Sequence, residues 1–168
     1  IMTSIMTSIK TSIKTSSIKT STITKNPECS PDQQLAFDKY ISKENIFITG
    51  PGGTGKTHLI KIIADHATAN NRAFKVCALT GCAAVLLMCG ATTLHAFAGV
   101  GLANGSIKQI VDRVLKNHRK RANWSKIDLL IVDEVSMLSL KLLKILDIIA
   151  RKIKKKPDIP FGGIQLVF

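Results

Sequence analysis

Hydrophobic residues along this chain alternate between short apolar runs and longer stretches in which they recur every three or four positions. Short apolar runs are typical of strands buried in a parallel sheet, and the longer spacing is typical of amphipathic helices. The runs predict strands at 46–49, 74–79 and 129–132. The spacing predicts helices at 57–69, 83–89 and about 139–155, with another opened by the capping pair Ser106 and Gln109. Strands that alternate with helices predict an α/β domain, a parallel sheet flanked by helices.

The turn after the first predicted strand has the chemistry of a phosphate-binding loop, because residues 50–57 fit the pattern G-x-x-x-x-G-K-[ST]. Glycines let backbone N–H groups converge on phosphate oxygens, and the positive amino end of the following helix favours an anion. Lys56 is predicted to contact the β- and γ-phosphates, and the Thr57 hydroxyl to ligate Mg²⁺. With ATP and Mg²⁺ as cofactors, the predicted binding set is Gly50, Pro51, Gly52, Gly53, Thr54, Gly55, Lys56 and Thr57.

Two carboxylates, Asp133 and Glu134, follow directly on the apolar run at 129–132. An acidic residue at the carboxyl end of a buried strand lies beside the phosphate loop, so Asp133 is predicted to hold the Mg²⁺ shell. Glu134 is predicted to be the base that orients and polarises the attacking water. The alternative is that these carboxylates only cap the helix that begins near Ser139, which explains either residue singly but not the pair. With Lys56, the pair predicts a P-loop NTPase that hydrolyses its nucleotide.

Five segments resemble, in order, the motifs of the Pif family of DNA helicases, which belongs to superfamily one and is related to RecD. Residues 30–37 are similar to its Q motif, 79–84 to motif Ia and 92–101 to its Thr-x-His-x-Phe-x-Gly segment. Residues 131–138 are similar to motif II, and 160–168 to the approach to motif III. The resemblance covers most of the chain. It is specific, because many ATPases share a lone phosphate loop but not five ordered segments.

This resemblance implies an amino-terminal RecA-like domain of an ATP-dependent 5′-to-3′ DNA helicase that acts in DNA repair, recombination and telomere maintenance. It implies that Gln33 reads the adenine edge and that single-stranded and forked DNA are partners. It also implies a second RecA-like domain in cis, whose arginines stabilise charge on the γ-phosphate. We expect the sequence to be truncated at both ends, before motif III at the carboxyl end. The alternatives are a non-motor remnant that binds ATP and DNA, and an AAA-type ATPase.

The predicted DNA contact lies between the two nucleotide motifs. Thr80 and Gly81 turn the second strand into a helix, where a hydroxyl and free N–H groups can hold a DNA phosphate. His95 and Phe97 can offer a stacking face for unpaired bases. Their spacing fits equally well a Phe97 in the core and a His95 that caps a helix, and the family resemblance favours DNA.

Charge supports a polyanionic partner, since the 168 residues carry a net charge of +13. Basic residues concentrate at 116–121 and 151–156. A solvated helix end is the favoured interpretation of each cluster alone, but their sum favours nucleic acid without sequence preference.

Composition limits the compartment. No apolar run approaches the roughly 18 to 20 residues of a membrane span. The four cysteines lack zinc spacing, and Cys77, Cys82 and Cys89 lie in apolar surroundings where cysteine packs as a small hydrophobe. We expect an intracellular location, with the nucleus favoured over the mitochondrion.

The first 26 residues differ from the rest, because they repeat tetrapeptides of isoleucine, threonine, serine and lysine. Low complexity and poor helix formers predict a disordered tail at 1–26, followed by the RecA-like domain at 27–168. An organellar presequence is the less favoured alternative, since this stretch has no arginine and its β-branched residues resist an amphipathic helix.

Overall fold

Parallel strands form a sheet with helices on both faces in the computed structural model, which describes residues 29–168. The tail predicted at 1–26 lies outside the described residues. The strands are β1 (Phe74–Ala78), β2 (Thr92–Thr93), β3 (Leu129–Asp133) and β4 (Gln165–Val167). The helices are α1 (Pro31–Ile41), α2 (Lys56–Ala69), α3 (Gly81–Leu86), α4 (Leu94–Ala98), α5 (Ile107–Lys116), α6 (His118–Lys126) and α7 (Leu140–Lys154). Two 3₁₀ turns, Val135–Met137 and Pro160–Gly163, precede α7 and β4.

The described strands pair in the order β2–β1–β3–β4, and every pair is parallel. β1 and β3 pair along their full length, from Phe74 opposite Leu129 to Ala78 opposite Asp133. The predicted α/β fold with a parallel sheet is therefore confirmed. Because all strands run the same way, the loops that leave their carboxyl ends gather at one edge of the sheet.

The strand predicted at 46–49 is reduced to an isolated bridge between Ile46 and Val167. Its backbone still runs along β4, since the Ile46 N–H donates to Leu166 O at 2.9 Å and the Phe168 N–H donates to Ile46 O at 3.0 Å. The pairing is short because β4 itself has only three residues. The segment that enters the phosphate loop therefore lies beside β4, which separates it from β3.

The predicted helix at 83–89 is displaced and spans Gly81–Leu86 instead. Thr80 caps it, because its hydroxyl accepts a hydrogen bond from the Ala83 N–H at 3.2 Å. The helix ends before Met88, which takes a left-handed φ of 55°. The capping box that opens α5 is confirmed, since Ser106 and Gln109 each accept the other's backbone N–H.

Alternating side chains of the strands divide the core into two layers. Leu130 and Val132 of β3 pack under α4 to α7, whereas Leu129 and Ile131 pack under α1 to α3. Cys77 is fully buried in the first layer, and burial raises the pKa of its thiol to about 12, so it packs as a small apolar side chain. Cys82 departs from the expected apolar surroundings, because it is exposed at the start of α3. None of the described helices is long and apolar enough to cross a membrane.

Candidate functional site

The predicted phosphate loop links the edge segment beside β4 to the amino end of α2. Gly55 immediately precedes α2 with a left-handed φ of 78° and provides no side-chain cap, so the first N–H groups of the helix are left for a ligand. The loop is held by its own contacts. Thr54 Oγ1 donates to Pro51 O at 2.9 Å, and Lys56 Nζ donates to both Gly50 O and Pro51 O at 2.8 Å. Lys56 thus lies folded over the loop that it is predicted to serve.

Gln33 joins α1 to the phosphate loop. Its Nε2 donates to Gly55 O at 3.2 Å and to Thr54 O at 3.4 Å, and its Oε1 accepts the Ser30 N–H at 2.9 Å in a capping box. A Cβ at residue 55 would collide with this amide, so the contact requires glycine there. The sequence predicted that Gln33 reads adenine but missed its contact with the loop, because no local pattern reports hydrogen bonds between residues 22 positions apart.

Asp133 and Glu134 stand at the carboxyl end of β3, as their sequence position predicts. The Glu134 N–H donates to Asp133 Oδ1 at 2.9 Å. Glu134 has φ 55° and ψ 41°, a left-handed conformation that costs a residue with a side chain about 1–2 kcal/mol. The Glu134 side chain is exposed in this turn. Such strain is typical of active sites, and sequence could not reveal it.

The residues predicted to bind Mg²⁺ fit that ion chemically. The Thr57 hydroxyl and the partly exposed Asp133 carboxylate are hard oxygen donors. Mg²⁺ commonly takes one or two protein oxygens and completes its shell with phosphate oxygens and water. The loop segment and β3 flank β4, so their backbones lie two strand spacings apart, about 10 Å. Among residues 29–168, no group of three or more His, Cys, Asp and Glu side chains is placed to hold a metal.

The residues predicted to contact DNA divide into exposed and buried ones. Thr80 and Gly81 are exposed at the carboxyl end of β1, the edge that also carries Asp133. His95 is half-buried on α4. Phe97 is only 6% exposed, and its ring centroid lies 5.0 Å from that of Trp124. The expectation that Phe97 presents a stacking face is therefore corrected, because its ring is buried in the core.

A cavity of about 790 Å³ lies at the opposite, amino-terminal edge of the sheet and was not predicted. Tyr40, His66 and Arg72 line it, with Tyr40 Oη 3.1 Å from His66 Nδ1 and the Arg72 guanidinium 5.4 Å from the Tyr40 ring centroid. Burial, and secondarily the charge of Arg72, lower the pKa of His66. This cavity is remote from the phosphate loop, so its volume does not mark the nucleotide site.

Comparisons with known proteins agree with the geometry. Residues 29–168 match the family model of the PIF1-like helicase. The chain is 41% identical over 149 residues to the ATP-dependent DNA helicase PIF1 of Saccharomyces cerevisiae, covering 86% of this chain and 17% of the yeast protein. The crystal structure of Pif1 helicase from Candida albicans is similar with a TM-score of 0.75 and 35% identity, covering 83% of this chain and 31% of that one.

A third similar protein is Bacteroides Pif1 bound to single-stranded DNA, with a TM-score of 0.62, 28% identity, and coverage of 82% of this chain and 30% of that one. The chain thus spans less than a third of each relative. The family match covers all described residues, and the fold agrees with it. This chain therefore belongs to the PIF1-like helicase family.

Proposed function

We propose that this domain binds Mg·ATP at residues 50–57 and hydrolyses it as part of an ATP-dependent DNA helicase of the Pif type. One observation carries the proposal. The uncapped amino end of the 14-residue helix α2 and the pair Asp133–Glu134 belong to the same edge of one parallel sheet. A helix amino end binds phosphate, and carboxylates beside it are suited to metal binding and to water activation.

Lys56, the first turn of α2 and Gln33 each have a role in this proposal. Lys56 leaves Gly50 O and Pro51 O and donates to the β- and γ-phosphates, while the N–H groups of the first turn of α2 hold phosphate oxygens. Gln33 reads the adenine edge after its amide leaves one of its present partners. Because the same amide contacts the adenine and the loop carbonyls, binding of the base is coupled to the position of the phosphate loop.

Thr57 and Asp133 hold Mg²⁺ in this proposal; the ion, when bound, neutralises charge on the β- and γ-phosphate oxygens. Glu134 accepts a proton from the attacking water, and its side chain is exposed to solvent. A second RecA-like domain in cis contributes the arginines that complete charge stabilisation.

We propose single-stranded and forked DNA as the substrate. Thr80 and Gly81 offer a hydroxyl and N–H groups to a backbone phosphate, and the half-buried His95 lies on the next helix. A structure of a related Pif1 holds single-stranded DNA. Phe97 supports α4 from the core rather than stacking on bases. We propose an intracellular site of action, on nuclear DNA first.

The test is phosphate release from the 168-residue chain, with single-stranded DNA titrated in and binding of a fluorescent ATP analogue measured alongside. We expect the analogue to bind, DNA to bind, and release to be slow, because an arginine from a second domain is worth about 10³–10⁵ in rate. Fast DNA-stimulated release would contradict the need for a second domain. Analogue binding without any release, even after a second RecA-like domain is joined, would favour a non-motor remnant.

A further inference from the structure

The end of α5 and helix α6 together form a segment without acidic residues that the proposed nucleotide site does not use. Between Asp112 and Asp128 the chain has no carboxylate. Six basic residues occupy that interval: Arg113, Lys116, Arg119, Lys120, Arg121 and Lys126. The sequence alone favours a solvated helix end for such a cluster, so the case for a polyanionic partner depends on where the fold places these side chains.

The position of α6 is fixed by its one buried side chain. Trp124 is fully buried, packs on Phe97 and donates from Nε1 to Ala98 O at 3.4 Å. Lys120 lies one helical turn before Trp124, and Asn123 and Lys126 follow it at every third residue, so these three residues share one side of α6 that adjoins Trp124. The burial of Phe97 therefore serves to hold a basic helix against the sheet edge.

That face of α6 forms one wall of a groove of about 490 Å³. The opposite wall includes Phe74, Lys75 and Thr92 of β1 and β2, and no carboxylate lines the groove. Phe74 opens β1, whereas Thr92 pairs with Cys77 near the carboxyl end of β1, so the groove runs along β1 from its amino end to a level three residues before Thr80. The six residue steps from Phe74 to Thr80 span about 20 Å of extended chain.

Two of the groove lysines are held in place by backbone carbonyls. Lys75 Nζ donates to Gly90 O at 2.8 Å, and Lys120 Nζ donates to Ala96 O at 2.5 Å. A Cβ at Gly99 would lie 2.7 Å from Lys120 Cγ, so glycine is what lets this lysine cross α4. Each ammonium group retains further donors for a ligand, since lysine has three.

The carboxyl end of α7 brings a second basic cluster to the end of α6. Lys154 Nζ donates to Ser125 O at 2.9 Å and lies 3.5 Å from Asp128 Oδ1. Asp128 is thus paired with Lys154, and the neighbouring exposed Lys152, Lys155 and Lys156 extend the positive surface, which also carries the exposed Asp158 two residues beyond Lys156. The basic clusters of α6 and α7 are about 30 residues apart in the sequence, yet they meet on one face of the protein. Neither segment alone predicts this contact.

We propose that this groove binds the sugar–phosphate backbone of DNA, as a second contact distinct from the strand held near Thr80. This inference rests on the proposed action on DNA. Lys120 and Lys126 are separated by about 9 Å along the helix axis, so one stretch of sugar–phosphate backbone can contact both. The Asn123 amide and the Thr92 hydroxyl supply the neutral donors that typically contact phosphate and sugar.

The test uses the 168-residue chain and a short fluorescent DNA duplex, whose binding is followed by anisotropy over a range of salt concentrations. Lys126→Ala removes an exposed charge without touching the core. We expect its affinity to fall about eightfold at 0.1 M salt and about threefold at 0.3 M, because one lost phosphate contact reduces the salt slope by about 0.9. Lys108→Ala is the matched control, since Lys108 is an exposed lysine at the far end of α5.

The outcomes separate this inference from the proposed function. Binding of the ATP analogue must stay unchanged in Lys126→Ala; loss of analogue binding in the parent chain would instead refute the nucleotide site. An unchanged duplex affinity and salt slope in Lys126→Ala, or an equal loss in Lys108→Ala, would overturn the groove. A polyglutamate peptide that binds as tightly as the duplex and depends equally on Lys126 would assign it to an acidic protein, and would overturn it too.

Discussion

Replacing Glu134 by glycine should make the chain more stable than replacing it by alanine, although both variants lose the carboxylate. Glu134 has φ 55°, in the left-handed region, whereas Ser136 in the next 3₁₀ turn has no positive φ. Glycine adopts the left-handed conformation without strain. The pair of substitutions therefore isolates backbone strain from the loss of the side chain.

The size of the difference follows from two opposing terms. An alanine at this φ retains a strain of about 1–2 kcal/mol, which glycine removes. Glycine loses about 0.5–1 kcal/mol relative to alanine, because its unfolded chain has more freedom. The remainder favours Glu134→Gly over Glu134→Ala by about 0.5–1 kcal/mol in the free energy of unfolding.

Urea unfolding followed by circular dichroism measures that difference. The same two substitutions at the exposed Ser136 are the control, and there glycine should be the less stable variant by about 0.5–1 kcal/mol. A reversal of sign between the two positions is the expected result. If glycine were less stable than alanine at both positions, Glu134 would not be strained and the reasoning about the turn would be wrong.

Other expected outcomes concern the loop, the last turn and pH. In urea unfolding, Gly162→Ala should lower the free energy of unfolding clearly more than Gly163→Ala. Both residues have positive φ, but only at Gly162 would a Cβ lie 2.8 Å from Ala150 O. Equal losses of stability would contradict the packing of that turn. Burial lowers the pKa of His66 below 6.5, so the unfolded chain binds the proton more readily than the folded one. The free energy of unfolding should therefore fall as pH drops below about 6.5, and His66→Gln should remove that part of the pH dependence. An unchanged pH profile in His66→Gln would refute this role of His66. Gln33→Ala should weaken binding of ATP more than binding of inorganic triphosphate, measured by competition with a fluorescent analogue; equal losses would limit Gln33 to holding the loop.

Much of the fold follows from the sequence, because its strongest signals are local. The phosphate loop, the capping box at Ser106 and the apolar face of α7 each lie within one short segment, and each was located to within a residue or two. The strand at 46–49 was overestimated, since pairing depends on the length of the partner β4 rather than on the apolar run itself.

The site was less predictable wherever contacts join distant segments. Spacing left Phe97 equally suited to core and surface, and only the position of Trp124, 27 residues later, decides for the core. Likewise, the contact of Gln33 with the phosphate loop and of Lys154 with Ser125 depends on tertiary packing. The left-handed turn at Glu134 is imposed by its surroundings, because the residue type itself disfavours it.

The central claim is that residues 50–57 bind the phosphates of ATP, and the affinity of the 168-residue chain for a fluorescent ATP analogue with Mg²⁺ tests it most directly. Lys56→Ala should abolish binding while circular dichroism shows an unchanged fold, because the Lys56 ammonium donates to the loop carbonyls of Gly50 and Pro51 and the residue is not part of the buried core. Lys61→Ala, a lysine replaced on the same helix α2, should bind like the parent. Undiminished affinity in a folded Lys56→Ala would contradict the assignment of the nucleotide site.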